Sequence, residues 1–511
     1  MKKVISGEEL RNVMSEAVNL LCDTVSSTLG PTGNNILINN SDTTPFITND
    51  GVTIASNIES EDKRINTVLE IVKEASLKTN ELVGDGTTTT LVLLQSIFNL
   101  GLEEINNGKN KIVLKNELLN CMDMVVDEIN KLKRIPSKDD LVNIAITSSN
   151  DLEIGRLTTE IFLKVKSKYS IKLEESNSEL TYSVNKKGYS IPINSISSMY
   201  FSKNKFIELK DVYVLVLKGY LDNLESISDV LNDVLENDKN LIIFTEAMNE
   251  DIKNEILVYY FNHKNIFVVE LEELASHRDK EEDDISILAD GVVKNIDYEE
   301  VSFNDLGRVD SIKINSEEVV LLSSKKSSSL LIDKLKEELN SCVSDYEKEF
   351  ITSRISKLEE GITTIYVGGT TKSEKREKMM RFEDAICALE SAKNGVVTGE
   401  GITYLKVGKE LVMRDTGCLI VKQSLEKIFE KVMYNLGLDC DDIKNNIITN
   451  NYNCIYDYSI GDYVSIDDSN IIDPIDVVIC AFKNALSISA ILLSTSSLVI
   501  NLDENREVNI M

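Results

Sequence analysis

The sequence predicts a mixed α and β, multidomain protein in which a mainly helical domain is split by an inserted α/β domain. Three observations carry that expectation. The chain has 511 residues, well past the length at which a single hydrophobic core stops growing. Long stretches toward both ends repeat apolar residues at helical spacing. Between them, short apolar runs alternate with helical stretches, the pattern of a parallel α/β unit.

Taken in order, residues 7–29 place Leu10, Val13, Met14, Ala17, Leu20, Leu21 and Val25 at helical spacing and stop at LGPTGNN, where Gly-Pro marks a turn. NILI and PFITNDGVTIAS read as two short strands around an Asx-Gly turn. Residues 64–83 form a second amphipathic helix and 87–101 a third. Residues 212–217, 241–244 and 266–270 are strand candidates, separated by helical stretches at 223–235 and 250–261. Gly188 and Gly361 flank this middle region, and glycine absorbs backbone rotation at hinges. Long helices resume with residues 373–392 and continue to Ile491. Residues 485–502 are uncharged and long enough to span a bilayer, yet they hold six Ser or Thr and read as a buried helix and strand.

Composition narrows the function classes. A net charge of −30, from 55 basic and 85 acidic residues, disfavours DNA and anionic membranes as partners. Hydrophobic residues make up 42% of the chain, a globular value. Eight cysteines lie far apart with no CxxC pair, and His263 and His277 are the only histidines. A reduced, cytoplasmic protein without structural zinc fits this usage. MKKVISGEEL lacks the apolar stretch of a secretory signal.

The stretch VGDGTTTTLVLL, residues 83–94, carries the chemistry. A helix start exposes unpaired N–H groups and the positive end of the dipole, and glycine lets the backbone approach an anion, so phosphate is the natural guest. Asp85 would repel that phosphate unless a hard cation such as Mg²⁺ bridged them, while Thr87, Thr88 and Thr89 add hydroxyl donors. LGPTG, residues 29–33, offers a second glycine turn. The alternative for GDGTTTT is a capped helix after a tight turn, and for Asp50 in TNDG ordinary turn chemistry. In RFEDAICALE, Phe382, Ile386 and Leu389 form a stripe from which Asp384 points away, toward water or a site.

LGPTGNN, ITNDGVTIAS, IESEDK, VKEASLKTNELVGDGTTTT, SMYF, FEDAICALESAKNGVVTGEG and IIDP occur in one order along nearly the whole chain. In that order they resemble a group I chaperonin, of a divergent kind. SEDK and the single FEDA favour group I over group II. The resemblance implies five segments: 1–131 and 394–511 as the two halves of an equatorial ATPase domain, 132–187 and 362–393 as an intermediate hinge domain, and 188–361 as an apical domain. It implies ATP and Mg²⁺ as cofactors, with K⁺ as a further candidate. Thr28, Leu29, Gly30 and Pro31 would line the nucleotide, with Asn49 beside it. Asp85 would hold the metal, and Gly86, Thr87, Thr88 and Thr89 the phosphates. Asp384 would activate the attacking water and Asp50 help to place it, the step where a carboxylate assists phosphoryl transfer most directly. Gly399, Glu400 and Gly401 match a position that is normally three glycines, and Asp457, Tyr458, Ser459 and Asp473 match the base and ribose side. Two departures, Glu400 for glycine and Asp457 for an amide, bear on nucleotide affinity.

The resemblance also implies a homo-oligomeric, seven-membered ring whose apical helices present apolar residues to unfolded clients and to a co-chaperonin lid. Tyr200, Phe201, Val230, Leu231, Val234, Ile256, Leu257 and Tyr259 are the expected contacts. The run ILVYYF, residues 256–261, reads as a helix with apolar residues all round or as a buried strand. Glu426 stands where a basic partner across a ring seam is expected, with Asp439, Asp441 and Asp442 following. The expected activity is ATP hydrolysis coupled to protein folding in an enclosed cavity. A ring with weakened ATPase acting as a holdase or scaffold is the alternative, and a small-molecule phosphotransferase a more distant one.

Overall fold

The computed structural model describes residues 2–39, 45–165, 167–186, 188–201, 206–262, 265–271, 278–316, 318–323, 325–466 and 469–501. His263, His277 and residues 502–511 lie outside them. The chain forms two compact units, one of residues 1–162 with 376–511 and the other of residues 163–375.

The first unit is a helical assembly. Gly7–Ser26, Lys63–Val83, Thr87–Asn106, Lys111–Lys131, Thr416–Leu436 and Ile475–Ser494 surround one core that includes Leu21, Leu91, Phe98, Val421, Phe482 and Leu486. Ile475–Ser494 is long and apolar enough to cross a membrane by length and composition, but 67% of that span is buried inside the unit. A helix apolar all round belongs in the middle of a bundle, and its Asn484 is satisfied there by donating to Thr79 Oγ1 at 2.9 Å. It is followed by the strand Ser497–Asn501, which pairs antiparallel with Lys2–Ser6.

The expected strand through GVTIAS is corrected: Gly51–Asn57 is a helix. Asp50 lies two residues past the strand Phe46–Thr48, and its carboxylate accepts from the N–H groups of Val52 and Thr53 at 3.3 and 2.8 Å. That cap satisfies two orphan donors of the new helix, so the Asx residue read as a turn former is a helix starter.

The second unit is built on a seven-stranded sheet in the order Val293–Asn295, Ile207–Leu221, Gly307–Ile314, Glu318–Leu322, Tyr189–Ser195, Ile266–Leu271, Asn240–Met248. The last strand also pairs with Ile207–Leu221, closing the sheet on itself. The three strands read from the sequence lie side by side and parallel, as the alternation requires; Val293–Asn295 adds a further parallel pairing on Ile207–Leu221, and the remaining pairings are antiparallel. A separate three-stranded sheet joins Ile171–Glu175, Ile362–Val367 and Tyr182–Lys186.

The expected apolar capture band is also corrected. Val230, Leu231 and Val234 on Ser228–Glu236 are buried against Leu215, Leu217, Leu241 and Ile243 of the sheet. The sheet's outer face is itself apolar, and a nine-residue helix with one apolar stripe covers it rather than facing water. The ILVYYF run is helical, within Glu250–Phe261. Ile256 and Leu257 are buried, Tyr259 is half-buried, and it is Val258 and Phe261 that stand out at 57% and 58% exposure. Tyr200 is buried against Tyr260 and Phe267, with Phe201 partly buried beside it. Glu426 pairs with Lys444 in the same unit, and Asp439 caps Cys440–Thr449 by accepting from Asp441 and Asp442 N–H.

Candidate nucleotide site

Four segments of the first unit converge. The helix Gly7–Ser26 ends in two tight backbone turns, Thr28 N–H to Val25 O at 3.0 Å and Gly33 N–H to Gly30 O at 3.0 Å, which fold the LGPTG loop back on itself. Asn435, at the end of Thr416–Leu436, holds that loop: its Nδ2 donates to Ser26 O at 3.0 Å and Leu29 O at 2.8 Å. Thr32 Oγ1 in turn donates to the Asn435 carbonyl at 3.2 Å. Thr28 Oγ1 lies 3.4 Å from Thr88 Oγ1, joining the loop to the start of Thr87–Asn106.

That start is GDGTTTT. Gly84 and Gly86 both have positive φ, at 68° and 77°, so the chain turns sharply into the helix. The N–H of Gly86 donates to Asp85 Oδ1, and Thr90 Oγ1 ties the first turn by donating to Gly86 O at 2.9 Å. Gly51, at the start of the neighbouring helix, is tightly constrained. A Cβ there would fall 2.6 Å from Thr88 Oγ1 and 2.7 Å from Thr87 Oγ1, so only glycine lets the two threonine hydroxyls occupy their places.

The third segment is Lys372–Ala392, which presents Asp384, and the fourth is the strand pair Val396–Thr398 with Ile472–Pro474, where Val397 stands opposite Asp473. Beyond it, the hairpin Cys454–Asp457 with Asp462–Ser465 carries Asp457, whose Oδ1 accepts from both the N–H and the hydroxyl of Ser459. Two donors therefore occupy the carboxylate that replaces the expected amide. Asn49 and Tyr458 are exposed at the margins.

Electrostatics set these groups apart. Burial raises the Asp85 carboxyl, helped by the charge of Asp50 and opposed only by the Gly86 N–H. Asp384 is pushed up to about 8, by burial first and then by Asp85, Asp50 and Glu383, with Arg381 partly opposing. Asp473 is raised to about 7 by burial and by Asp85. Glu400 is raised to about 8 by burial, then by Asp473 and Asp457. Among the described residues no basic side chain enters the charge balance at Asp85, Asp473 or Glu400. Buried carboxylates so arranged call for an external cation.

The donor set fits a hard divalent ion held mostly by a ligand's phosphates and water. Asp85 is one half-buried carboxylate with spare acceptor capacity, beside a helix N-terminus and threonine hydroxyls that suit phosphate. Among the described residues, the acidic side chains whose oxygens lie within 4.8 Å of one another are Glu246, Asp279 and Glu282 of the second unit, not those of this site. An all-protein cage is therefore not what Asp50, Asp85 and Asp384 form.

The structure brings together Thr28, Asp50, Asp85, Thr87, Thr88, Asp384 and Asp473. Sequence reasoning missed Gly51 and Asn435. The signal for Gly51 was present, in a glycine directly after a helix-capping Asx; nothing local marked Asn435, whose partners lie 406 and 409 positions away.

This fold is that of a chaperonin. Residues 21–502 match the TCP-1/cpn60 chaperonin family, and the chain belongs to it. Among solved structures it is similar to the chaperonin gp146 from the bacteriophage EL 2 (Pseudomonas aeruginosa), crystallised in the presence of ATP-BeFx, over 98% of this chain and 99% of that one at 19% identity. The TM-score is 0.74 for crystal form I and 0.66 for crystal form II.

Proposed function

We propose that this chain is the subunit of an ATP-driven protein-folding chamber, a homo-oligomeric ring that captures unfolded proteins and encloses them under a co-chaperonin lid in the cytoplasm. The observation that carries the reading is the convergence of Asp50, Asp85 and Asp384 on a glycine-turned helix start bearing Thr87 and Thr88. The helix N–H groups and the threonine hydroxyls bind and orient phosphate. Asp85 would hold the Mg²⁺, which would supply charge neutralisation at the phosphates and polarise the transferred group. Asp384, one helix away and not consumed in capping, accepts a proton from the attacking water and orients it. Asp50 spends its oxygens on the Val52 and Thr53 N–H groups, so its part is to hold Gly51 and the threonines in register and to set the field at Asp384. K⁺ is a further candidate for the acidic surroundings.

A second reading has one observation behind it. Glu400 places a buried carboxyl oxygen without a hydrogen-bond partner in the nucleotide site, which suits a ring of weakened ATPase that holds or displays proteins without cycling. Steady-state phosphate release from Mg-ATP, measured with and without an unfolded client and alongside the yield of refolded client, separates the two. Turnover with client-dependent refolding supports the folding chamber. Client binding without turnover supports the holdase, and a phosphorylated product other than phosphate contradicts both.

A further inference from the structure

We propose that Glu400 is a specificity-determining residue of the nucleotide site, its carboxyl accepting a ribose hydroxyl beside Asp473, so that the site prefers ribonucleotides to deoxyribonucleotides. The inference rests on the nucleotide reading above and names the part of the ligand that this side chain meets.

Glu400 sits at φ 51°, in the left-handed region that an L-residue with a long side chain seldom adopts. The backbone on either side leaves it little choice. A Cβ on Gly399 would lie 3.1 Å from Asp473 Oδ1, and one on Gly401 would lie 2.7 Å from the Phe429 nitrogen. The loop is also pinned by Gly399 N–H to Ile471 O at 2.9 Å and Ile402 N–H to Gly399 O at 3.1 Å. The backbone conformation that glycine would adopt freely is thus kept, and a carboxyl group is added to it.

The added group ends in a buried oxygen, Oε2, that no atom of the chain satisfies. Such an acceptor carries the full desolvation penalty of a lost hydrogen bond, so a donor from outside the chain is the simplest way to satisfy it. Its charged neighbours are Asp473 and Asp457. Neither makes a hydrogen bond to Glu400 Oε2, and Asp457 is already engaged by Ser459. Three acidic side chains together repel phosphate, so this end of the site suits a neutral donor. Two adjacent hydroxyls match two adjacent carboxyl groups, and a carboxyl oxygen accepts from a hydroxyl whether or not the group is ionised.

Calorimetric titration of the full-length protein with Mg-ADP, 2′-deoxy-ADP and 3′-deoxy-ADP tests this, using the wild type, Glu400→Gln and Glu400→Gly. Glycine suits φ 51°, so Glu400→Gly keeps the loop, and an unchanged or higher melting temperature confirms it. The wild type is expected to bind ADP roughly ten- to a hundredfold more tightly than at least one deoxy analogue, and Glu400→Gly to lose about tenfold of that ratio, with Glu400→Gln in between. The same ratio in all three proteins overturns the inference and leaves the nucleotide reading intact. So does a Glu400→Gly protein that binds all three nucleotides more tightly by one common factor, which would make Glu400 an obstacle only. A wild type that binds none of them overturns the nucleotide reading and this inference together.

Discussion

Thr28 and Thr88, sixty positions apart, bring their hydroxyl oxygens to within 3.4 Å of each other. The contact fixes the LGPTG loop against the GDGTTTT helix start, and Gly51 makes it sterically feasible by leaving the space beside Thr88 and Thr87 empty. Gly51→Ala is expected to push both hydroxyls aside, since its Cβ would fall 2.6 and 2.7 Å from them. Overpacking of this kind costs about 1–3 kcal/mol. We expect a lower melting temperature and a loss of ADP affinity of about tenfold or more, read by thermal denaturation and calorimetry; unchanged affinity would separate the threonines from ligand binding.

Asn435 supplies the other half of this arrangement. Asn435→Ala removes the side-chain donor from the Leu29 carbonyl and leaves the Ser26 carbonyl with the longer Leu29 N–H bond at 3.3 Å, which costs about 1–3 kcal/mol. The loop rather than the catalytic carboxylates is disturbed, so KM for ATP should rise several-fold while kcat changes little. A fall in kcat at constant KM would show that Asn435 acts on the chemical step.

The acidic cluster predicts a pH dependence. Asp384 has its folded-state pKa raised, to about 8, above the ordinary unfolded value of about 3.9. Between those values the folded state binds the proton and the unfolded state does not, so stability falls as pH rises from about 4 to about 8 and levels off above. Asp384→Asn removes the titrating group. It is expected to melt higher than the wild type in the absence of nucleotide, with the gap wider at pH 8 than at pH 5. A gap that narrows toward pH 8 would contradict the assigned environment.

The second unit makes a prediction about capture. Val258 and Phe261 are exposed on Glu250–Phe261, whereas Leu231 and Leu257 are core. Val258→Ser and Phe261→Ser should preserve melting behaviour and weaken binding of an unfolded client. Leu231→Ser should destabilise the unit by roughly 2–5 kcal/mol, as buried large-to-small changes do. Client binding that survives both surface changes would place the capture surface elsewhere.

Much of this was legible in the sequence, for identifiable reasons. Helices such as Gly7–Ser26, Lys63–Val83 and Glu250–Phe261 carry their periodicity locally, and the Asp85 and Asp384 motifs are contiguous. One failure is a local cap, and the others are long-range. Residues 51–57 have the β-branched content of a strand, and only the position of the Asp50 carboxylate decides for a helix. Val230, Leu231 and Val234 form an apolar stripe whose exposure depends on strands that begin elsewhere in the chain. Lys444, the partner of Glu426 within the unit, lies 18 residues away in another helix and is not marked by the sequence around Glu426. The left-handed backbone at Glu400 is likewise set by packing against Asp473 and Phe429, not by its own sequence neighbours alone.

The central claim is that Asp85 and Asp384 divide the labour of ATP hydrolysis, one holding the metal and phosphates, the other directing water. Its most direct test is single-turnover phosphate release from Mg-ATP by the purified wild type and Asp384→Ala, with nucleotide binding measured on the same samples. We predict magnesium-dependent release by the wild type, and release slower by about a hundredfold or more in Asp384→Ala with ADP affinity retained within a few-fold. Equal release rates in the two proteins, or no release by the wild type, would contradict the account.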